Sequence, residues 1–483
     1  MLYNLSMGKR GYVSLFSSAG VGCYGFDLEG FDCIVTSELI ERRIKIQKYN
    51  NVCSLENGYI LGDITDPEIN KRITSQISAW KETYNESEVE VLIATPPCQG
   101  ISVANHKKNN ELKRNSLVVE SLRIIRQINP KFFVIENVRG FLGTPCTDVD
   151  GANKTIKEAI TNNLAGHYNI AHRVMNFKDY GNNSSRTRTV IIGIRKDMQE
   201  LSPYDLFPKE KNAPTLRELI GDFPRLKNMG EINPDDIYHS FRPYDKRMLN
   251  WIINTKEGQS AFDNEKPENR PHKIVDGDII ENQNKNGDKY TRCFWDRVAP
   301  CVHTRNDILA SQSTIHPEDP RVFSIRELMA FMGIPNSFKW SRLDTDTLNS
   351  LSDEDKKEFL KKNEINIRQC LGEAVPTPIF QEIARNIVAY EERESLSLNK
   401  IKRLIEKKQL SNIDNLLAYL RDSRPDFTTA SKIAELANSK RLDEAAYYTR
   451  QDLCFSLVSA LPDFKNKKQI RILEPSVGVG NFL

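Results

Sequence analysis

Residues 91–99 read Val-Leu-Ile-Ala-Thr-Pro-Pro-Cys-Gln, and the other segments of the chain are interpreted around them. Its first five residues are apolar or β-branched, which predicts a short buried strand that the two prolines end. Cys98 therefore follows the carboxyl end of a strand, where open α/β sheets bind their ligands. Taken alone, a cysteine beside an apolar run is more often a buried structural thiol than a reactive one.

Two further apolar runs carry polar groups at their ends. The run Phe-Phe-Val-Ile leads directly into Glu136, and the pair Arg186 and Arg188 precedes the run Thr-Val-Ile-Ile-Gly-Ile. A thiol, a carboxylate and two guanidinium groups at strand ends form a candidate active site. This company favours a reactive role for Cys98.

A turn of small residues follows the first predicted strand. Phe16 is succeeded by Ser-Ser-Ala-Gly-Val-Gly, which includes Gly20 and Gly22. Such a turn lets backbone approach a ligand closely and points helix amides toward it. Glu38 ends the next strand, where a carboxylate can accept from both hydroxyls of a ribose, and Asp63 follows the third. The alternatives are an ordinary helix N-terminal acid at Glu38 and a helix cap at Asp63. This order of strands and helices predicts a doubly wound nucleoside-binding half.

Composition bounds the class of protein. The 483 residues predict two or three domains, and 39% hydrophobic content is enough for sizeable cores. The net charge of +3 gives no argument for nucleic acid, so any basic surface must be local. The nine cysteines are scattered without a Cys-x-x-Cys pair, and no apolar run approaches a membrane span. These features predict a cytoplasmic protein without a metal site, a disulfide framework or a membrane partner.

Two polar stretches are candidates for contact with a substrate. Residues 99–116 are rich in lysine and form a long irregular connection, which is typical of a functional loop. Residues 290–305 interleave aromatic, basic and hydroxyl side chains that suit phosphates and base edges, among them Arg292 and Trp295. Both stretches also fit ordinary solvated loops and domain seams.

The segments described above, taken in their order along the chain, resemble the motifs of the DNA cytosine-5 methyltransferase family over residues 12 to about 390. The resemblance implies that Cys98 is the nucleophile and that Glu136 binds the target base. Arg186 and Arg188 match the family's Arg-x-Arg motif, whose second arginine holds the cytosine carbonyl. The family's cofactor is S-adenosylmethionine, and the resemblance assigns its binding to Phe16 on the adenine, Gly20 and Gly22 at the methionine part, Glu38 on the ribose, Asp63 on the adenine, and Pro97.

The resemblance is not complete. Residues 372–376 resemble the family's last motif, and we expect the stretch 370–376 to be a glycine turn before an amphipathic helix. Glu373 stands there in place of the usual Asn. Ser17 and Ser18 replace Ala-Gly beside the first glycine turn, and Ser184 stands where Gln often precedes the arginines. None of these departures removes a group with a catalytic role.

The fold class that follows is α/β, with a doubly wound Rossmann-like methyltransferase domain, a smaller loop-rich target recognition domain and a helical C-terminal extension. The predicted divisions are a catalytic domain in 1–202, target recognition in 203–315, a return to the catalytic domain in 316–390, a helical linker in 391–440, and a last segment in 441–483. That last segment resembles the start of an N6-adenine methyltransferase. Its Asn-Pro-Pro-Tyr-type motif is not in the sequence, so we predict no adenine activity.

The expected activity is methyl transfer to C5 of a flipped-out cytosine in a specific double-stranded DNA site, through a covalent bond between Cys98 and C6. The expected setting is a restriction–modification system, beside a cognate endonuclease that forms no stable complex with this chain. One alternative is a tRNA cytosine-5 methyltransferase. Another is an inactive truncated fusion that binds only cofactor or DNA.

Overall fold

The computed structural model of the chain describes residues 9–97, 112, 115–198, 201–282, 288–392, 398–423 and 427–437. Cys98, most of the predicted loop 99–116 and the whole of 441–483 lie outside these ranges.

The strands of the described residues, in chain order, are β1 Arg10–Leu15, β2 Phe31–Glu38, β3 Tyr59–Leu61, β4 Val91–Ala94, β5 Phe132–Val138, β6 Pro145–Thr147, β7 Asn153–Thr155, β8 Tyr168–Asn176, β9 Thr187–Arg195, β10 Ile232–Asn233, β11 Asp236–Ser240, β12 His272–Val275 and β13 Asp278–Glu281. The α-helices are α1 Tyr24–Asp27, α2 Glu41–Tyr49, α3 Pro67–Tyr84, α4 Leu117–Ile128, α5 Ile156–Leu164, α6 Leu216–Ile220, α7 Arg247–Ile253, α8 Ile325–Phe331, α9 Thr345–Asn349, α10 Asp353–Glu373, α11 Thr377–Glu392, α12 Leu398–Lys408, α13 Ile413–Ser423 and α14 Phe427–Ala437.

A seven-stranded sheet forms the centre of the molecule, in the order β3-β2-β1-β4-β5-β9-β8. The first five strands are parallel, whereas β9 and β8 run antiparallel to their neighbours. The chain leaves β1 toward β2 and β3 and later returns to the other side of β1 as β4. The switch point therefore lies between β1 and β4, where doubly wound sheets bind ligands at the carboxyl edge. The predicted doubly wound α/β fold is confirmed.

Alternating side chains bury both faces of the sheet. Val13 of β1 packs in a cluster with Trp80 of α3 and with residues of α4 and α5. The adjacent Tyr12 points to the other cluster, which contains Phe26 of α1 and Phe380 of α11. Successive residues of a strand face opposite sides, so β1 is covered by helices on both. The sheet therefore forms the rigid base of everything at its edge.

A third apolar cluster joins the predicted recognition region to the catalytic part. It includes Leu216 of α6, Trp295, and Leu371 of α10, together with Ala19 and Val21 of the glycine turn. Trp295 is 8% exposed, and its indole is thus committed to the protein interior.

Arg292 is also buried, at 3% exposure. Its guanidinium donates hydrogen bonds to four backbone carbonyls, those of Ile252, Thr255, His316 and Asp319. The expectation that Trp295 and Arg292 are available to phosphates or bases is therefore wrong, because both groups stabilise the fold of this region.

The prediction of a glycine turn at 370–376 is also wrong in part, because the glycine lies in a helix. Gly372 belongs to the last turn of α10, and the chain reverses only at Ala374–Pro376 before α11 begins. A Cβ on Gly372 would lie 2.4 Å from the backbone of His303 and Thr304. The glycine is thus needed for close packing of a helix against another segment, and not for a turn.

The helical extension consists of α12, α13 and α14 within the described residues, which pack around Ile401, Leu410 and Ile433. This agrees with the predicted helical C-terminal extension. In the described ranges, no helix is both long and apolar enough to span a membrane.

Candidate active site

The carboxyl edge of the sheet collects the predicted site residues. Phe16 follows β1, Glu38 ends β2, and Asp63 comes two residues after β3. Thr95–Pro97 follow β4, and Glu136 lies near the end of β5. Because β9 is antiparallel to β5, its first residues return to the same edge, where Arg188 pairs with Val138.

The turn after β1 has an unusual backbone. Phe16, Ser18 and Gly20 have φ values of 57°, 47° and 82°, all in the left-handed region. Such angles are uncommon for residues other than glycine and are concentrated at functional sites. The Gln47 amide of α2 secures the turn by donating to Ser17 Oγ at 2.8 Å and to the Ser18 carbonyl at 2.5 Å. Phe16 and Ser18 remain half-exposed beside this support.

The Glu38 side chain is buried, at 6% exposure, and several donors form hydrogen bonds with its carboxylate. Its Oε1 accepts from the amides of Leu39 and Ile40, both at 3.0 Å, and from Arg43 at 3.2 Å. Its Oε2 accepts a single hydrogen bond among the described residues, from the Ser18 amide at 2.8 Å. The carboxylate is thus fixed in orientation with acceptor capacity left on the side of the turn.

Asp63 is exposed, and its Oδ1 accepts from the amide and hydroxyl of Thr65. The N-cap of α3 is Asp66, whose side chain accepts from the Glu68 amide. Asp63 is therefore not the helix cap that was its alternative interpretation.

The segment before Cys98 is tied to both neighbouring strands. Thr95 Oγ1 donates to the Phe16 carbonyl at 2.9 Å, and Asn137 Nδ2 donates to the Pro96 carbonyl at 2.7 Å. Pro97, the last described residue of this segment, is half-buried. The backbone that leads to Cys98 is thus fixed between the glycine turn and the strand of Glu136.

Glu136 and Arg188 form an ion pair at the edge, with 3.2 Å between Arg188 Nε and Glu136 Oε1. This contact lacks hydrogen-bond geometry, and Oε1 has no hydrogen-bond partner within the described part of the chain. Burial raises the pKa of Glu136, while Arg188 and Arg186 act in the opposite direction. A buried carboxyl oxygen that accepts no hydrogen bond costs free energy. It is therefore suited to a polar group that enters from outside.

Arg186 has a different environment from Arg188. It is 4% exposed, and its guanidinium donates to the Val302 carbonyl at 3.0 Å and to the Gly372 carbonyl at 3.2 Å. It therefore joins β9 to the end of the predicted recognition region and to α10. Half-buried His303 lies beside this arrangement, and burial together with both arginines lowers its pKa.

Three residues that support the site were not predicted from the sequence: Asn137, Arg43 and Gln47. Asn137 directly follows Glu136, so the motif itself contained a signal for it. Arg43 and Gln47 lie one turn apart on α2 and look like the polar positions of any surface helix. Only the fold shows that both point at the glycine turn.

A comparison with protein families identifies the chain. The family model described as C-5 cytosine-specific DNA methylase matches residues 11–389. The chain belongs to this family. The match spans the described strands from the second residue of β1 onward and the helices from α1 through most of α11, so the edge described above is that of a DNA cytosine-5 methyltransferase.

Curated relatives agree over most of the chain. The type II methyltransferase M1.HgaI of Avibacterium volantium is 29% identical over 393 residues, which is 78% of this chain and 97% of the relative. M1.HphI of Haemophilus parahaemolyticus is 28% identical and covers 79% of this chain and 88% of its own length.

Among solved structures, the Schizosaccharomyces pombe Dnmt2 methyltransferase superimposes with a TM-score of 0.51 at 14% identity, covering 80% of this cytosine-5 methyltransferase and all of that chain. This likeness supports the Rossmann-like fold. Among the described residues, no group of three or more His, Cys, Asp or Glu side chains is arranged to hold a metal ion.

Proposed function

We propose that this cytosine-5 methyltransferase uses S-adenosylmethionine to methylate a flipped-out cytosine in a specific double-stranded DNA site. The observation that carries the proposal is the buried Glu136 carboxyl, 3.2 Å from Arg188 and with an oxygen free of hydrogen bonds among the described residues. It lies at the edge where Thr95–Pro97, the residues that precede Cys98 in sequence, follow β4. A pyrimidine that presents N3 and a carbonyl oxygen fits a carboxyl and a guanidinium side by side.

The residues at the start of the sheet fit the cofactor. Glu38 retains acceptor capacity on Oε2 for the ribose hydroxyls, and Phe16 is half-exposed for stacking on the adenine. Exposed Asp63 would accept from the adenine amine, while the backbone at Gly20, Gly22 and Pro97 would border the rest of the molecule. When bound, S-adenosylmethionine supplies the methyl group that C5 receives.

The protein groups prepare the cytosine for this transfer. The Cys98 thiolate adds to C6, and the electron pair displaced from the C5–C6 double bond makes C5 nucleophilic. Negative charge spreads over the ring toward N3 and the carbonyl oxygen. A proton on Glu136, favoured by burial, would bond N3, and Arg188 would hold the oxygen. After methylation, loss of the C5 proton to a base restores the double bond and releases Cys98.

Arg186 acts as a positioning residue in this proposal. Its guanidinium donates to the carbonyls of Val302 and Gly372, and it therefore supports the edge at which the base would bind. A cytosine within a duplex cannot reach a buried carboxyl, so the base must leave the helix. Residues 99–116 are proposed to close over it.

The proposed division of labour gives DNA site choice to residues 203–315. The proposed setting is the protective arm of a restriction–modification system in the cytoplasm, in keeping with relatives named type II methyltransferases. Residues 441–483, which resemble the start of an adenine enzyme, are proposed to add no second activity.

Methylation of a random DNA library tests the proposal. The chain is incubated with the DNA and S-adenosylmethionine. Unmethylated cytosines are then converted chemically, and the DNA is sequenced to locate 5-methylcytosine. We expect methylation at one short sequence, loss of it in Cys98→Ser, and unchanged cofactor binding in that variant. Methylation of tRNA in place of DNA would support the alternative substrate, and full activity of Cys98→Ser would exclude the mechanism.

A further inference from the structure

Arg43 of α2 lies between two carboxylates that are distant in sequence. Its Nη1 is 3.2 Å from Glu38 Oε1, and its Nη2 forms an ion pair with Glu373 Oε2. Glu38 ends β2, whereas Glu373 ends α10. One guanidinium thus joins the first half of the sheet to the helix that returns from the recognition region.

Ser18 of the glycine turn closes this arrangement into a ring. Its amide donates to Glu38 Oε2 at 2.8 Å, and its hydroxyl donates to Glu373 Oε2 at 3.3 Å. The ring therefore runs from Glu38 through Arg43 and Glu373 to Ser18 and back. Ser18 has a φ of 47°, a strained conformation that needs external support.

The charges of the ring do not balance without Arg43. The side chains of Glu38, Arg43 and Glu373 are 6%, 15% and 31% exposed, so water screens their interaction only in part. Burial raises the pKa of Glu373, Glu38 adds to this effect, and Arg43 opposes it. If the guanidinium were absent, two carboxylates would face the same turn and repel each other.

We infer that Arg43 and Glu373 are positioning residues for the cofactor, which hold the turn 16–20 and Glu38 in the conformation that binds it. The inference rests on the proposed use of S-adenosylmethionine at this edge. It also accounts for the departure at Glu373, where the family pattern has a neutral Asn. A negative charge at this position is tolerated because α2 supplies a positive one.

A double-mutant cycle on cofactor binding tests the inference. Dissociation constants for S-adenosylmethionine are measured by calorimetry for the full chain, Arg43→Gln, Glu373→Gln and the double variant. We expect Arg43→Gln to weaken binding about tenfold and Glu373→Gln about threefold, as for partly screened charged hydrogen bonds. The double variant should bind more tightly than Arg43→Gln, because the second change removes the repulsion that the first creates.

The matched control is Glu41→Gln. Glu41 lies on the same helix and pairs with Lys45, but both side chains are more than half exposed, at 64% and 57%. Glu41→Gln removes the same negative charge as Glu373→Gln does, and it should bind the cofactor as the parent does. Steady-state kinetics should show a raised KM for the cofactor in Arg43→Gln with kcat within about twofold, since no group that contacts the base has changed.

Three results would overturn the inference in different ways. Losses that simply add in the double variant would show that Arg43 and Glu373 act independently, while the proposed function would stand. A parent chain that binds no S-adenosylmethionine would overturn the proposed function and this inference together. A fall in kcat alone would also contradict a positioning role in cofactor binding.

Discussion

The Asn137 side-chain amide donates a hydrogen bond of 2.7 Å to the carbonyl oxygen of Pro96. Asn137 is 3% exposed and directly follows Glu136, whereas Pro96 comes two residues before Cys98. The segments that carry the proposed base-binding acid and the proposed nucleophile are therefore linked by a buried side-chain hydrogen bond, in addition to the pairing of β4 with β5. A shift of β5 relative to β4 would alter both groups together.

Asn137→Ala should lower kcat about 10- to 100-fold, because loss of a buried hydrogen bond frees the backbone that leads to Cys98. The dissociation constant of S-adenosylmethionine should change much less than kcat, since the side-chain amide of Asn137 bonds Pro96 and not the glycine turn, Glu38 or Asp63. Single-turnover methylation and calorimetry measure the two quantities. Asn163→Ala is the control, because this amide of α5 is also buried and hydrogen-bonded, to Asp148 and the Ala159 carbonyl. Equal effects on kcat in both variants would contradict the account.

Glu136→Gln should stabilise the fold near neutral pH while it slows methylation by at least about tenfold. Burial raises the pKa of Glu136 in the folded chain, so the native state binds this proton more tightly than the unfolded state. The stability that this group contributes is present below the unfolded pKa and is lost as pH rises through the folded pKa. Gln does not titrate, and the advantage of the variant should therefore grow with pH across that window.

Melting temperatures of both chains across that pH window measure this effect. All other carboxyls titrate in both chains, so the difference reports on Glu136. A melting-temperature difference that shrinks as pH rises would show that the ionised carboxylate is stabilised at this edge.

Arg186→Lys should mainly reduce the stability of the fold, whereas Arg188→Lys should mainly reduce kcat. Lysine cannot reproduce the forked contacts of Arg186 with the Val302 and Gly372 carbonyls, and we expect a loss of about 2–4 kcal/mol in the free energy of unfolding. Arg188 is less buried, with a side chain 19% exposed, and its substitution should reduce kcat with a loss of stability below about 1 kcal/mol. Denaturant unfolding and steady-state rates separate the two. A stable, slow Arg186→Lys would instead indicate that Arg186 contacts the substrate.

Gly372→Ala should destabilise the protein by about 2–3 kcal/mol, because its Cβ would lie 2.4 Å from backbone atoms of His303 and Thr304. Neither of these backbone segments can rotate away as a side chain could. Gly166→Ala is the control, since a Cβ there meets nothing within 4 Å. Unfolding free energies of the two variants should differ accordingly, and equal values would contradict the close approach of α10 to residue 303.

The sheet was predictable from sequence because its signals are local. Apolar runs at β1, β4 and β5 end in polar residues, and parallel strands bring such ends to one edge. The sequence also placed Glu136 and Arg188 together, although the antiparallel direction of β9 was not foreseen. Their ion pair depends on that direction, since it returns the start of β9 to the carboxyl ends of the parallel strands.

The supporting contacts were not predictable because they join residues that only the fold brings together. Arg43 and Glu373 are separated by most of the chain, and each looks like a surface charge in its own helix. For Arg292 the sequence suggested a role that the fold does not support. As a basic residue among aromatics it resembled a phosphate ligand, but it donates hydrogen bonds to four backbone carbonyls in the interior. Single-sequence patterns show residue types and periodicity, whereas burial of a charge is a property of the tertiary structure.

Covalent trapping is the most direct test of the central claim that Cys98 attacks a cytosine in DNA. The chain is incubated with S-adenosylmethionine and a DNA library that contains 5-fluorocytosine, whose fluorine cannot leave as a proton does. We predict an adduct that survives denaturation, maps to Cys98 by peptide sequencing, and is enriched for one DNA site. An adduct at another cysteine, or none with DNA while fluorinated tRNA is trapped, would contradict the account.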